Sequence, residues 1–290
     1  MISASLVKEL RESTGAGMLD CKKALEETNG NIEEAITWLR EKGISKAAKK
    51  ADRIAAEGLA AIKVDGNRAV IVEVNSETDF VAKNEEFVSL VNAILDAILN
   101  NDVESEGDVL ELKAGSFTVN DLIIEKTSKI GEKLSFRRFK KIIKKDSEIF
   151  GSYIHMGGKI AVLTLLDGSN DEVAKNVAMQ SAAMRPLFIR ISDVTEDVIE
   201  KEKAVLKEQA VNEGKPENII EKIIEGGIKK YYKENCLEEQ EFVMGDKISV
   251  STYVKNNGGT IKDMVRFEVG EGMEKREENF AEEVAKQINR

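Results

Sequence analysis

The sequence predicts an α+β protein of several domains, and three observations carry that prediction. Near the N-terminus the apolar residues recur with a helical period. Beyond Gly58 the period switches to the alternation expected of strands. A stretch in the middle of the chain then repeats at a shift of 92 residues. The 290 residues are enough for about two or three domains. With 42% apolar and 33% charged residues, the balance is that of a globular, helix-rich protein.

Residues 1–53 read as three short helices. The stretch "SLVKELRESTG" sets Leu6, Val7 and Leu10 on one face, and "MLDCKKALEETNG" repeats the pattern with Leu19, Ala24 and Leu25. Asn29 and Gly30 end the second helix with residue types that tolerate a left-handed backbone. Asn31 then caps the third, with Glu34 three places on as in a capping box. That helix buries Ile32, Ala35, Ile36 and Leu39. The glycine-rich connector "TGAGMLD" places Met18 and Leu19 in a loop, either as a core staple or as an exposed contact for a partner. A unit this small is only marginally stable alone.

The basic, alanine-rich stretch from Ser45 to Gly58 reads as a helical linker. After it, "LAAIKVDG" and "RAVIVEVN" form a hairpin around Asp65-Gly66. A helix follows with Val81, Val88, Val91, Leu95 and Ile98 on one stripe. The repeat aligns Gly66–Ala93 with Gly158–Arg185, with nine of 28 positions identical and "VAKN" present in both. Two related α+β units are therefore expected, each a small antiparallel sheet packed on helices. They cover 54–140 and, discontinuously, 141–191 with 236–272. Inserted at 192–235 is a charged helical hairpin around "NEGKPE". Val198, Ile199, Val205 and Leu206 face one way on its first helix, and Ile219, Ile223, Ile224 and Ile228 on its second. It could serve as a projecting arm or a self-association surface. Strands resume with "KISVSTYV" and "MVRFEVG", expected to pair with the second unit's sheet. Residues 273–290 close the chain as a helix with Phe280, Val284 and Ile288 in line. Such a helix needs a surface to lie on, its own core or a partner.

The stretch "VNSETDFVAK", Val74–Lys83, carries the sharpest functional signal. In the repeat Thr78 aligns with Asn170, both types that cap helices, and Asp79 aligns with Asp171 in a first turn favoured by the helix dipole. Phe80, however, aligns with Glu172. A position that accepts Glu in the sister unit is not a core position, so Phe80 is expected to be presented outward beside Asp79.

Other chemistry is thin. The net charge of −10 disfavours a protein that binds nucleic acid through phosphates. The basic run "FRRFKKIIKK", Phe136–Lys145, reads as a solvated, salt-bridged edge. Cys21 and Cys236 are lone thiols that suit a reducing cytosol, and His155 is the single histidine, which argues against a zinc site and leaves any Ser-His-Asp triad to be built on it alone. "HMGGKI" lacks the upstream Gly and following Ser/Thr of a phosphate loop; it reads as a hairpin turn, with His155 a surface or capped residue. Glu77 and Asp79 form no desolvated carboxylate pair. No apolar run reaches membrane-spanning length. The expectation is a cytoplasmic, soluble binding protein with no catalytic set, no cofactor and no metal.

The stretch "LVKELRESTGAGMLDCKKALEETNGNIEEAITWLREKG", together with "VNSETDFVAKNEEF" and "RFEVGEGMEK", resembles the bacterial elongation factor Ts family, and the likeness runs through the whole chain in order. The resemblance implies a nucleotide-exchange factor, not an enzyme, whose partner is the GTPase elongation factor Tu. It implies that residues 1–53 are a ubiquitin-associated (UBA)-like domain that contacts the GTPase domain, with Arg11, Met18 and Leu19 at the contact; Leu19 stands where Met is commoner. It implies that Asp79 and Phe80 of the TDFV motif, Thr78 to Val81, insert into that domain, displacing magnesium and phosphate-loop contacts so that GDP leaves. His155 matches a histidine facing the partner's third domain, the hairpin a coiled-coil arm, and the last helix a C-terminal module. A homodimer or a two-to-two complex through the core or the hairpin stays open. The competing reading is a small-molecule enzyme with a site between the two core units, using Asp79 and His155.

Overall fold

The computed structural model describes residues 2–14, 16–245 and 247–274. By internal contacts the chain divides into two units. One takes in the segment ending at Ala61, Val72–Phe139 and the segment starting at Glu268; the other takes in Ile62–Ile71 and Lys140–Phe267. The helix expected over 273–290 lies outside the described residues from 275 onward.

Helices α1 (Ala4–Thr14), α2 (Met18–Glu27) and α3 (Ile32–Ala48) open the first unit. Their shared core is Val7, Leu10, Cys21, Ala24, Leu25 and Ala35, with Leu6, Ile32, Ile36 and Leu39 packed against it. Asn29 and Gly30 take positive φ, and the Asn31 side chain accepts the N–H groups of Glu33 (3.1 Å) and Glu34 (3.2 Å). Two expectations are corrected. Met18 and Leu19 form the first turn of α2 instead of a loop, and Cys21 takes the core position assigned to Leu19. The reason is the helical period: Cys21, Ala24 and Leu25 share one face, and Leu19 lies about 200° round the axis from Cys21. The linker, too, is not helical to Gly58. α3 stops at Ala48, and the carbonyls of Ala51 and Arg53 accept instead from the Lys133 ammonium, at 2.6 and 2.9 Å.

Strands β1 (Glu57–Asp65) and β2 (Arg68–Ser76) form the expected hairpin about Gly66. Helix α4 (Glu85–Asn100) buries Phe87, Leu90, Val91, Ile94, Leu95 and Ile98. Val88 falls outside that three-and-four spacing and is exposed, contrary to the expected stripe. Periodicity gave no assignment for the next stretch. It holds α5 (Glu106–Glu111), the two-residue strands β3 (Lys113–Ala114) and β4 (Phe117–Thr118), and α6 (Val119–Ile130). Both helices start in capping boxes, Ser105 with Asp108 and Thr118 with Asp121. Gly131 ends α6 in the left-handed conformation at φ 90°, which a residue with a Cβ adopts only under strain. β5 (Ser135–Ile143) follows, and the sheet order is β1-β2-β5.

The basic run lies in β5, at the sheet edge and salt-bridged as expected, but two of its arginines reach a buried carboxylate. Arg137 and Arg138 pair with Glu73 of β2 at 2.8 and 2.6 Å, and the Glu73 side chain is fully buried. The same carboxylate accepts the Gly270 N–H at 2.9 Å and the Asn75 side-chain amide at 3.1 Å, so four donors satisfy it.

In the second unit β6 (Glu148–His155) and β7 (Ile160–Gly168) pair antiparallel, with Glu148 opposite Asp167 and His155 opposite Ile160. The "HMGGKI" segment is their turn, as expected. Helix α7 (Asp171–Met184) packs on both strands. Helices α8 (Glu196–Asn212) and α9 (Glu217–Asn235) pack on each other across the Gly214–Pro216 turn. Their seam is half-buried Val198, Ile199, Leu206, Ile223, Ile224 and Ile228, with Ile220 buried; Val205 and Ile219, expected in the seam, face outward.

"KISVSTYV" is a correction of a different kind. It is not a strand but contains α10 (Val250–Asn256), started by the Ser249 hydroxyl accepting the Thr252 N–H at 3.2 Å. Val250 and Val254 point into the core, a spacing that a strand and a helix serve equally. The last strand among the described residues, β8 (Gly259–Glu268), does join this sheet, in the order β6-β7-β8. Cys236 is buried here beside the core residue Leu237, and burial pushes its thiol up to about 11.

Candidate functional site

The connection from β2 to α4, residues 77–84, is where the structure fixes the surroundings of Asp79 and Phe80. Thr78, just before them, has all three of its polar groups held. Its N–H and hydroxyl donate to the two carboxylate oxygens of Glu132 at 2.9 and 2.7 Å, and its carbonyl accepts from the buried Ser76 hydroxyl at 2.9 Å. Glu77 is likewise turned inward, accepting the Lys133 N–H at 2.6 Å and pairing with Arg53 at 3.1 Å. On the far side Val81 is buried at 7% exposure and opens a single 3-10 turn, Val81–Lys83. Between the polar clamp and the apolar anchor, Asp79 is exposed and Phe80 is 82% exposed.

Two local expectations are overturned here. Thr78 caps no helix, and Asp79 is not in a helical first turn. The residue that caps α4 is Asn84, whose side chain accepts the Glu86 N–H at 2.8 Å. In the sister unit Asn170 does cap α7, accepting the Val173 N–H at 3.1 Å. The alternation of burial nevertheless survives the change of backbone. Phe80 and Glu172 are both exposed, and Val81 and Val173 are both buried. Phe80 is thus outward as expected, on a turn and not on a helix.

The first turn of α4 is itself anchored. Glu86 receives Lys126 and Lys129 of α6, each at 2.6 Å, and these two ammonium groups hold its carboxyl down at about 2. Across the same unit Arg40 of α3 pairs with Asp121 of α6 at 2.5 Å.

Met18 and Leu19 are 56% and 84% exposed, which removes the core-staple alternative for this pair. Arg11, in the last turn of α1, is exposed and lines a cavity of about 750 Å³ whose other walls include Leu39, Gly43, Ile124 and Ser128. His155 belongs to the second unit. It is exposed at the end of β6, with its ring 5.9 Å from that of Tyr153 and Nδ1 3.4 Å from the Tyr153 hydroxyl.

Glu132, Lys133 and Arg53 were not singled out from the sequence. Glu132 lies 54 residues from the threonine it holds, and no local pattern links them. The available signal was Gly131, a left-handed helix end that throws the next two residues clear of α6.

A family model described as elongation factor TS matches residues 77–271. The match starts at the clamped loop that carries Asp79 and Phe80, runs through β8 and covers more than half of the chain. On that match the chain belongs to the elongation factor Ts family.

Proposed function

We propose that this protein binds the GTPase elongation factor Tu and releases its GDP by pressing Phe80, with Asp79 beside it, into the GTPase domain. Nucleotide exchange during translation elongation is the family's role; the residues and steps that follow are our reading for this chain. Exchange is a coupling between two ligands of one protein. The factor must bind the nucleotide-free partner more tightly than the GDP-bound one, and by reciprocity GDP must weaken the factor's hold. An exposed Phe gains nothing from burial until a groove opens for it. If that groove exists only when the partner's magnesium and phosphate-loop contacts are disturbed, insertion favours the emptied state. Burying one Phe contributes about 1.5–3 kcal/mol, or roughly one to two powers of ten in an equilibrium constant. Asp79 adds negative charge and hydrogen bonding where a cation must leave.

The observation that carries this reading is an 82% exposed Phe80 whose neighbours Thr78 and Val81 are both held inward. Around it we assign residues 1–53 as a UBA-like module touching the partner's GTPase domain through Arg11, Met18 and Leu19. We assign His155 as a contact for its third domain, α8–α9 as a coiled-coil arm, and the cytoplasm as the place of action.

The test is stopped-flow release of a fluorescent GDP analogue from elongation factor Tu, with the wild type and with Phe80→Ala. We expect strong acceleration by the wild type and a fall of about tenfold or more in the variant, equivalent to about 1.4 kcal/mol of transition-state stabilisation. Equal acceleration by both would remove Phe80 from the mechanism. No acceleration by either would remove the exchange function.

A further inference from the structure

We infer that Glu132 is a positioning residue for exchange: its carboxylate locks Thr78 and so fixes where Asp79 and Phe80 stand. The inference rests on the proposed insertion of Phe80 and adds to it the group that aims the side chain. Its basis is geometric. Both Glu132 oxygens are used on one residue, Oε2 on the Thr78 N–H at 2.9 Å and Oε1 on its hydroxyl at 2.7 Å. Together with the Ser76 hydroxyl on the Thr78 carbonyl, this leaves Thr78 no polar group free to rotate with the loop. Both bonds fall on the residue just before the exposed pair, where a loop would otherwise be most mobile.

The clamp is itself held in place from both sides. Glu132 directly follows Gly131, whose left-handed backbone ends α6. On its other side Lys133 gives its N–H to Glu77 at 2.6 Å and its ammonium to the carbonyls of Ala51 and Arg53. Two consecutive residues of one connection therefore hold both residues that precede Asp79. An exposed aromatic on an untethered loop would have to be ordered at the moment of insertion. Ordering costs about 1–2 kcal/mol per residue of backbone, a penalty a preset loop largely avoids.

A double-mutant cycle separates positioning from plain loss of structure. GDP-analogue release from elongation factor Tu would be measured with Glu132→Ala, Glu132→Gln and Thr78→Val, each alone and combined with Phe80→Ala. Glu132→Ala should slow exchange by about three- to tenfold, the scale of one or two lost hydrogen bonds. Glu132→Gln can still accept the N–H and meet the hydroxyl, so it should stay close to wild type. In the Phe80→Ala background Glu132→Ala should cause little further loss, because there is no longer a side chain to aim. Thr78→Val removes a single bond and serves if Glu132→Ala does not fold; it should show the same non-additivity. The inference is overturned if Glu132→Ala, or Thr78→Val in its place, exchanges as fast as wild type while Phe80→Ala is slow. It is equally overturned if the loss is as large with Phe80→Ala present as without it. If Phe80→Ala itself is as fast as wild type, the insertion reading falls and the positioning role with it.

Discussion

The chain makes the same strand-to-helix passage twice, and the two passages end differently. At a shift of 92 residues β2 and β7 coincide residue for residue, Arg68–Ser76 on Ile160–Gly168. The helices do not coincide. α7 starts at Asp171, which falls on Asp79, whereas α4 starts six residues later at Glu85. In the second passage Gly168 and Ser169 take positive φ, 75° and 77°, and Asn170 caps the helix at once. In the first, the chain runs out through Glu77–Phe80 and a 3-10 turn before Asn84 caps. One scaffold thus closes its junction tightly in one copy and extends it in the other. The extension holds the exposed aromatic, and Glu132 is what keeps it from being an ordinary loop. A repeat compared by sequence alone hides this, because the shared "VAKN" is a turn in one copy and part of α7 in the other.

The largest effect expected from breaking the comparison lies one strand back. Glu73 in β2 falls on Leu165 in β7, a fully buried carboxylate against a buried leucine. The carboxylate is tolerated because Arg137, Arg138 and the Gly270 N–H surround it. Removing one partner of a buried pair costs about 3–5 kcal/mol, and Glu73→Ala should reach the low end because both arginines keep about a quarter of their side-chain surface in water. Glu73→Leu, which installs the sister residue, should be destabilised comparably, since the guanidiniums stay behind without their acceptor. Urea unfolding followed by circular dichroism reads both. A Glu73→Leu midpoint at or above wild type would mean that the two strands are interchangeable at this position after all.

A smaller effect tests the caps. If Asn84 and Asn170 are the equivalent points of the two junctions, Asn84→Ala and Asn170→Ala should each cost about 1 kcal/mol. The same urea experiment decides it. A neutral Asn84→Ala beside a costly Asn170→Ala would show that the extended junction does not depend on its cap.

Where the sequence was legible, one residue's neighbours along the chain decided the outcome. The Gly66 hairpin, the Asn31 cap and the α8–α9 turn are of that kind, whereas the outward Phe80 was legible through its alignment with Glu172 in the repeat. It misled where two periods give the same face, as with Val250 and Val254, and where an alignment carried a cap from Asn170 to Thr78. It was silent where partners are distant. α6 has a clear capping box at Thr118 and Asp121, yet its purpose shows only when Lys126, Lys129 and Glu132 reach residues of α4 and the loop. The outward Phe80 could be read in advance; the exposure of Leu19 could not, and neither could the residues that hold the loop.

The smallest effect concerns that last contrast, at the start of α4. Glu86 falls on Ala178 in the repeat, so the second copy has no carboxylate at this position. Lys126 and Lys129 lower the Glu86 carboxyl from 4.5 to about 2 in the folded protein. A folded value below the unfolded one means that the unfolded chain binds the proton first. The stabilisation from Glu86 is therefore complete above about pH 4.5 and declines as pH falls toward about 2. Because the Glu86 side chain is 38% exposed, water screens much of the interaction and the effect on stability should be modest. The measurement is the difference in unfolding free energy between wild type and Glu86→Gln across pH 6 to 2, at low and high salt. It should be constant at the upper end, shrink through the window below pH 4.5, and be smaller throughout in high salt. A difference that does not change with pH would mean that Glu86 acts at this helix start through packing and hydrogen bonding, with no contribution from its charge.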